Sequence, residues 1–377
     1  MTDCWIAPDA LFDGQDLVQG QGVHIVDGHA AQVGQAPGNA VPIKGILTPG
    51  FVDLQVNGGG GTMLNATPTQ GAMADIAAAH RQFGTTAVMP TVITDHPDVL
   101  DRAAAAAIAA KGDEGIIGLH IEGPHIAMKR RGTHHADHIR PMDARTMAVV
   151  SRLRQHDIAV MITVAPEAIT HSQITDLAQM GAVVSLGHTD ATCAEVVAAI
   201  EAGASCATHL FNAMSPMTSR EPGTVGAVIN ADIWSGIICD GVHVDDQMIR
   251  LALRARPAQD LMFLVSDAMA TVGGPDQFDL YGQTIQLKNG RLINSEGNLA
   301  GAHVTQAQGV ARLVQQIGIA PAQALRMAIT IPARVVGQKA RAQITGQNTH
   351  DLLVLADDLS VIGTLAQVQS AGQGDLS

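Results

Sequence analysis

Residues 115–124 read GIIGLHIEGP, an apolar run that carries a histidine and a glutamate at its end, His120 and Glu122, and then breaks at Gly123-Pro124. An apolar run of this length, bounded by Gly and Pro, has the pattern of a strand buried on both faces. Ionisable residues at its C-terminal end have the placement of a site built where strands of an α/β fold stop. Seven further runs have the same character: Gly50 to Asn57, Thr85 to Thr91, Ile158 to Ala165, Ala182 to Gly187, Ala204 to His209, Ser235 to Asp240 and Leu261 to Ser266. Between them lie alanine-rich stretches with helical character, among them Gln70 to Phe83, His96 to Ala110, Asp143 to His156, Ile174 to Met180 and Ala191 to Ala202. Eight such βα units predict a (β/α)8 barrel of the TIM type. A doubly wound sheet is the competing fold, but the glycine run Gly58 to Gly61 matches neither G-x-G-x-x-G nor a phosphate loop.

Both ends of the chain read as short β segments, clearest at Val23 to Val26 and at Leu352 to Leu355 with Val361-Ile362. The expected organisation is therefore a barrel over 48–339 and a small β-sandwich domain formed by 1–47 together with 340–377. Between barrel and tail, Phe278 to Asn298 reads as a hairpin turning at Asn289-Gly290. Helical stretches follow around Val304 to Gln316 and Pro321 to Ile329.

Composition narrows the function classes. The 377 residues are 46% hydrophobic, and no apolar stretch approaches the roughly 18 residues that a bilayer span needs. With 22 basic and 35 acidic residues the net charge is −13, which repels polyphosphate, and aromatic residues for base stacking are only 2%. Neither a membrane nor a nucleic-acid partner is expected. Four cysteines, Cys4, Cys193, Cys206 and Cys239, form no C-x-x-C pair, and residues 1–11 lack a basic leader. The expected setting is a reducing cytoplasm.

Polar residues recur where the predicted strands end: Gly187-His188-Thr189, Thr208-His209, Asn212, Asp240 with His243, and Ser266-Asp267. Glu122, His188 and His209 supply one carboxylate and two imidazoles from three strands, a donor set that suits zinc. A histidine at a strand end is also an ordinary rim residue, so both readings stand on residue type alone. Asp267, closing an apolar run, suits a general base beside an activated water; the plainer reading is a helix N-cap. Asp53, Gln55 and Asn57 alternate on one strand face toward the barrel mouth, where the two amides suit substrate or water contacts better than a metal. Lys129 to Arg131 reads as a solvated charge cluster with His134 just beyond, and Arg220 reads either as a phosphate fork or as an exposed loop charge.

Taken in order, PGFVDLQVNG (49–58), GLHIEGPH (118–125), RGTHH (131–135), SLGHT (185–189), ATHLFNAM (207–214), SREPG (219–223), DGVHV (240–244) and SDAMA (266–270) resemble the N-acetylglucosamine-6-phosphate deacetylases of the amidohydrolase superfamily. DLLVLADD (351–358) resembles that family's closing strand. The resemblance implies metal-dependent hydrolysis of an acetamide to acetate and glucosamine 6-phosphate. It implies Glu122, His188 and His209 as ligands of one divalent metal per subunit, taken as Zn2+. Asp267 would be the proton-transferring catalytic residue and His134 the group that helps polarise the carbonyl. Gln55, Asn57, His134, Asn212, Ala213, Arg220 and His243 would contact the substrate, with Asn212, Arg220 and His243 on the sugar phosphate of a homodimer. Gln55-x-Asn57 stands where many superfamily members carry H-x-H, which implies the single-metal branch. Ser266 stands for the usual Thr. His125 replaces the usual aromatic and His303 a small residue, so both are expected to alter the pocket. The rivals are the N-acetylgalactosamine-6-phosphate deacetylases, cyclic-amide hydrolases, which carry H-x-H and often a lysine absent from Ile158 to Ala165, and a non-catalytic scaffold on the same barrel.

Overall fold

A computed structural model describes residues 3–294 and 299–374 of the chain. The eight apolar runs form eight parallel strands, Phe51–Val56, Thr85–Ile93, Leu119–Glu122, Val160–Val164, Val183–Leu186, Cys206–Ala207, Trp234–Ile237 and Met262–Leu264, hydrogen-bonded side by side in chain order. Every residue of Thr85–Ile93 and Val160–Val164 is buried. Such strands are apolar on both faces because helices cover the outside while side chains fill the inside. The outer layer includes Gln70–Arg81, Pro97–Ala109, Ala144–Gln155, His171–Gln179 and Cys193–Glu201.

These helices start where capping chemistry is available. Thr69 and Asp143 accept from backbone amides of the first turn, and Thr170 with Gln173 and Thr192 with Glu195 form reciprocal capping boxes. In Pro97–Ala109 the buried side is Ala103, Ala104, Ala106 and Ala107 beside Val99 and Leu100, small residues that let the helix approach the strands closely.

The barrel is open by one ladder. No run of backbone pairing joins Phe51–Val56 to Met262–Leu264. Backbone groups of the two meet higher up, through the bridge Val56↔Ala268, the Asp267 amide that donates to Gln55 O at 3.0 Å, and the Asn57 and Gly58 amides that donate to Ala268 O at 2.9 and 3.0 Å.

The two ends of the chain share one sheet. Its path runs Val361–Thr364, Leu352–Leu355, Val41–Pro49, Asp3–Phe12, Gln21–Val26, His29–Gln35, with Leu17–Val18 paired to Asp3–Phe12. Leu352–Leu355 runs antiparallel to Val41–Pro49, with Leu352 opposite Pro49. Ile6, Leu11, Val23, Ile25, Leu47, Leu352 and Val354 form its separate apolar core. Because Val41–Pro49 passes through Gly50 directly into Phe51–Val56, this sheet is anchored to the first barrel strand.

Beyond the eighth strand, Gln277–Leu280, Gln283–Lys288 and Arg291–Ile293 make a three-stranded antiparallel sheet rather than a single hairpin. Asn289 and Gly290 turn it with φ of 52° and 74°, the left-handed pair of a type I′ turn. The last part of the expected hairpin, residues 295–298, lies outside the described residues. The two expected helices appear as Gln306–Arg312 continued by a π-turn over Leu313–Ile317, and as Pro321–Leu325 continued by another over Arg326–Thr330.

Candidate active site

Four strand ends converge on one point. Glu122 Oε1 lies 3.1 Å from His188 Nε2 and 3.0 Å from His209 Nε2, and the two imidazole nitrogens are 3.1 Å apart. Each of the three residues is at most 5% exposed. His188, His209 and Asp267 all hold positive φ, 48°, 30° and 50°, and Phe211 and Ala213 follow at 81° and 52°. A left-handed backbone costs a non-glycine residue about 1–3 kcal/mol, so its clustering here marks positions fixed by their surroundings.

The donors fit a cation. His188 donates through Nδ1–H to Arg130 O at 2.8 Å, which leaves Nε2 as a lone pair facing a carboxylate oxygen. Two acceptors at such a distance repel unless a positive charge lies between them. The mutual spacing of 3.0–3.1 Å is near the edge of about 3.3 Å expected for ligands around tetrahedral zinc. Burial pushes the Glu122 carboxyl up, but the adjoining His188 and His209 imidazoles outweigh it and hold it well below the usual range.

His134 also comes within reach of Glu122 and His188, and these three could themselves bracket an ion. Its protonation argues for a different role. The Thr94 amide donates to His134 Nδ1 at 3.4 Å and the Thr94 hydroxyl lies 2.7 Å from the same nitrogen. Nδ1 is therefore an acceptor, and Nε2 carries the proton. Burial pushes His134 down to about 3, so the ring is a neutral donor at any ordinary pH. His209 Nε2 stands on the other side of the same carboxylate, 3.0 Å from Glu122 Oε1.

Two amides organise the carboxylates. Gln55 Nε2 donates to Glu122 Oε1 at 2.9 Å and to Asp267 Oδ1 at 3.1 Å, while Asn57 Nδ2 donates to the same Asp267 oxygen at 2.7 Å. An amide nitrogen thus occupies the position between the two carboxylates that a bridging second cation would need. Burial and the nearby charge of Glu122 push Asp267 up to about 6. A buried carboxylate with such an affinity can take and return a proton near neutrality.

A cavity of about 200 Å³ opens over these groups, lined by Asn57, Glu122, His134, His188, His209, Asp267, Asn212, Ala213 and His243 together with Ile93, Ile238, Met269 and Leu299. His243 is oriented by Asp240, whose Oδ2 lies 2.7 Å from Nδ1 and whose Oδ1 accepts the Val242 and His243 amides.

Residues 46–355 match the amidohydrolase family. The chain belongs to that family. Among curated relatives it is 41% identical to the N-acetylgalactosamine-6-phosphate deacetylase of Shewanella sp. (strain ANA-3), over 85% of this chain and 81% of that one. It is 34% identical to the N-acetylglucosamine-6-phosphate deacetylase of Haemophilus influenzae, over 85% and 84%. The crystal structure of the N-acetylglucosamine-6-phosphate deacetylase from Pasteurella multocida superposes with a TM-score of 0.88 at 33% identity, covering 96% of this chain and 97% of that one.

Several residues of this amidohydrolase stand elsewhere than the sequence suggested. His125 does not enter the pocket: its Nδ1 lies 3.0 Å from Arg140 O and its Nε2 2.9 Å from Thr146 Oγ1, against the helix Ala144–Gln155. His303 faces another cavity, with Nδ1 2.8 Å from Thr271 Oγ1. Arg220 is exposed on its loop and is not among the lining residues. Gln55 is not at the cavity wall but behind it, between the two carboxylates. Lys129 and Arg130 are paired with Asp190, and Arg131 Nη1 donates to His134 O at 2.9 Å, so the basic run holds loops in place. Thr94, which fixes the His134 tautomer, went unseen in the sequence because a threonine after a strand carries no distinguishing pattern.

Proposed function

We propose that the chain hydrolyses the acetamide of N-acetyl-D-glucosamine 6-phosphate, giving D-glucosamine 6-phosphate and acetate in amino-sugar catabolism. The observation that carries this reading is the convergence of Glu122, His188 and His209 within 3.1 Å beside Asp267, in a chain whose relatives of 34% and 41% identity bear deacetylase names. We assign one divalent cation, Zn2+, to Glu122, His188 and His209. Bound there, it would lower the pKa of a water and polarise the acetamide carbonyl.

The chain's own groups do the rest. Asp267 takes a proton from the attacking water as its oxygen bonds to the carbonyl carbon, and delivers that proton to the nitrogen as the C–N bond breaks. Gln55 and Asn57 aim the carboxylate by donating to Oδ1, leaving Oδ2 for the water. His134 offers Nε2–H to the carbonyl oxygen as negative charge develops on it. Asn212, Ala213 and His243 line the far wall and take the sugar and its phosphate. Among the described residues no lysine or arginine lines the cavity, so a dianion needs a cation from beyond it. Arg220, exposed on its loop and contributed across a homodimer interface, supplies that charge in this reading. Four free cysteines fit a cytoplasmic enzyme.

The galacto epimer is the second reading, raised by the 41% identity to a relative named N-acetylgalactosamine-6-phosphate deacetylase. Acetate release from the two N-acetylhexosamine 6-phosphates, measured side by side, tests both. Turnover of the gluco substrate in preference supports the main reading; turnover of the galacto epimer alone replaces it with the second. No release from either, with metal bound, removes the deacetylase assignment.

A further inference from the structure

The missing ladder between the first and eighth strands is replaced by two buried side chains. Both Asp53 carboxylate oxygens lie 3.2 Å from the Ser266 amide, and Asp53 Oδ1 also accepts the Gln55 amide at 3.2 Å. From the other side Gln306 Nε2 donates to Leu264 O at 3.1 Å and to Val52 O at 3.4 Å. Asp53, Gln306 and Ser266 are each at most 2% exposed. The backbone groups that a ladder would pair across this seam, on Val52, Leu264 and Ser266, are thus satisfied by side chains.

The stitch sits directly under the reacting carboxylate. Ser266 precedes Asp267, and Gln55, whose amide Asp53 also holds, is the residue that donates to Asp267 and Glu122. Asp53 therefore grips both neighbours of Asp267 at once, on the strand that carries it and on the strand that orients it. Gln306 ties the seam to the helix Gln306–Arg312, whose start is fixed by the Thr305–Gln308 capping box.

We propose that Asp53 and Gln306 are positioning residues, which hold the seam of the barrel so that Asp267 meets the attacking water in line. This rests on the reading of Asp267 as the proton-transferring group. Neither Asp53 nor Gln306 lines the cavity or contacts Glu122, His188 or His209; the stitch reaches Glu122 only through Gln55, so its loss is expected to act on the chemical step more than on binding.

The test compares Asp53→Ala, Asp53→Asn and Gln306→Leu in the metal-loaded enzyme, with Asp267→Asn beside them, reading kcat, KM and bound metal. A misplacement of about 1 Å at a reacting group costs about 100-fold, so Asp53→Ala is expected to lower kcat by about that factor while KM and metal content hold. Asp53→Asn keeps an acceptor for the Ser266 amide and is expected to restore most of kcat. Gln306→Leu is expected to lower kcat at constant KM, and it carries the test if Asp53→Ala does not fold. Wild-type kcat in Asp53→Ala or Gln306→Leu, with Asp267→Asn inactive, overturns the stitch alone. Asp53→Asn as damaged as Asp53→Ala also overturns it. An active Asp267→Asn overturns the assignment of Asp267 and the stitch with it.

Discussion

Asn57 Nδ2 lies 2.7 Å from Asp267 Oδ1, the shorter of the two side-chain hydrogen bonds that this carboxylate receives from Gln55 and Asn57. It crosses from the first strand to the last, where backbone pairing between the two is confined to a few bonds. Removing the donor by Asn57→Ala takes away an interaction that favours the ionised carboxylate. The expected outcome is a loss of about 10- to 100-fold in kcat, with the acid limb of the pH profile moved upward. An unmoved limb would show that Asn57 does not set the affinity of Asp267 for its proton.

His134 and His209 are predicted to fail in different ways. His134→Asn removes the neutral Nε2–H donor and is expected to cost about 10²–10³ in kcat, as for loss of an oxyanion donor, while metal content stays at the wild-type level. His209→Asn is expected to abolish tight metal binding. Metal analysis of the purified variants separates the two; loss of metal in His134→Asn would make His134 the third ligand instead.

In the proposed role of proton acceptor, Asp267 must be ionised. Burial and the Glu122 charge raise it to about 6, and a cation held beside it draws it back down. Activity is therefore expected to be flat above about pH 7 and to fall about tenfold per unit well below the limb, which lies at or below about 6. A kcat profile that still rises well above neutrality would assign proton transfer to another group.

His80 gives a prediction about stability. Its Nε2 donates to Gly58 O at 2.9 Å, and burial pushes its pKa from 6.5 down to about 4. A depressed histidine binds its proton more tightly in the unfolded chain, so its contribution is intact above pH 6.5 and is lost as pH falls toward 4. Between pH 7.5 and 5 this group should remove about 2 kcal/mol. Denaturant unfolding of wild type and His80→Gln at those two values is expected to show a smaller acid loss in the variant. Equal losses would contradict the assignment.

The fold was readable because the strands are apolar on both faces and end in polar residues: GIIGLHIEGP needs no partner to look like a buried strand with a functional end. Convergence of Glu122, His188 and His209 followed from the same feature, since in a barrel all strand ends share one rim. What period-two alternation could not tell is which partner a side chain meets. Gln55 and Asn57 were placed on the right face, yet Gln55 binds two carboxylates rather than standing free for substrate. Adjacency misled in the other direction at His125, three positions from Glu122 but turned into the helix layer against Thr146. The role of Asp53 depended on a gap in backbone pairing that only the three-dimensional arrangement reveals.

In the proposed mechanism Glu122, His188 and His209 hold a single cation for Asp267 to work beside. The most direct measurement is a titration of metal-free protein with zinc, following acetate release from N-acetyl-D-glucosamine 6-phosphate. The account predicts a rate that climbs in proportion to added zinc and stops at one equivalent per chain. A break at two equivalents, or full release from the metal-free protein, would contradict it.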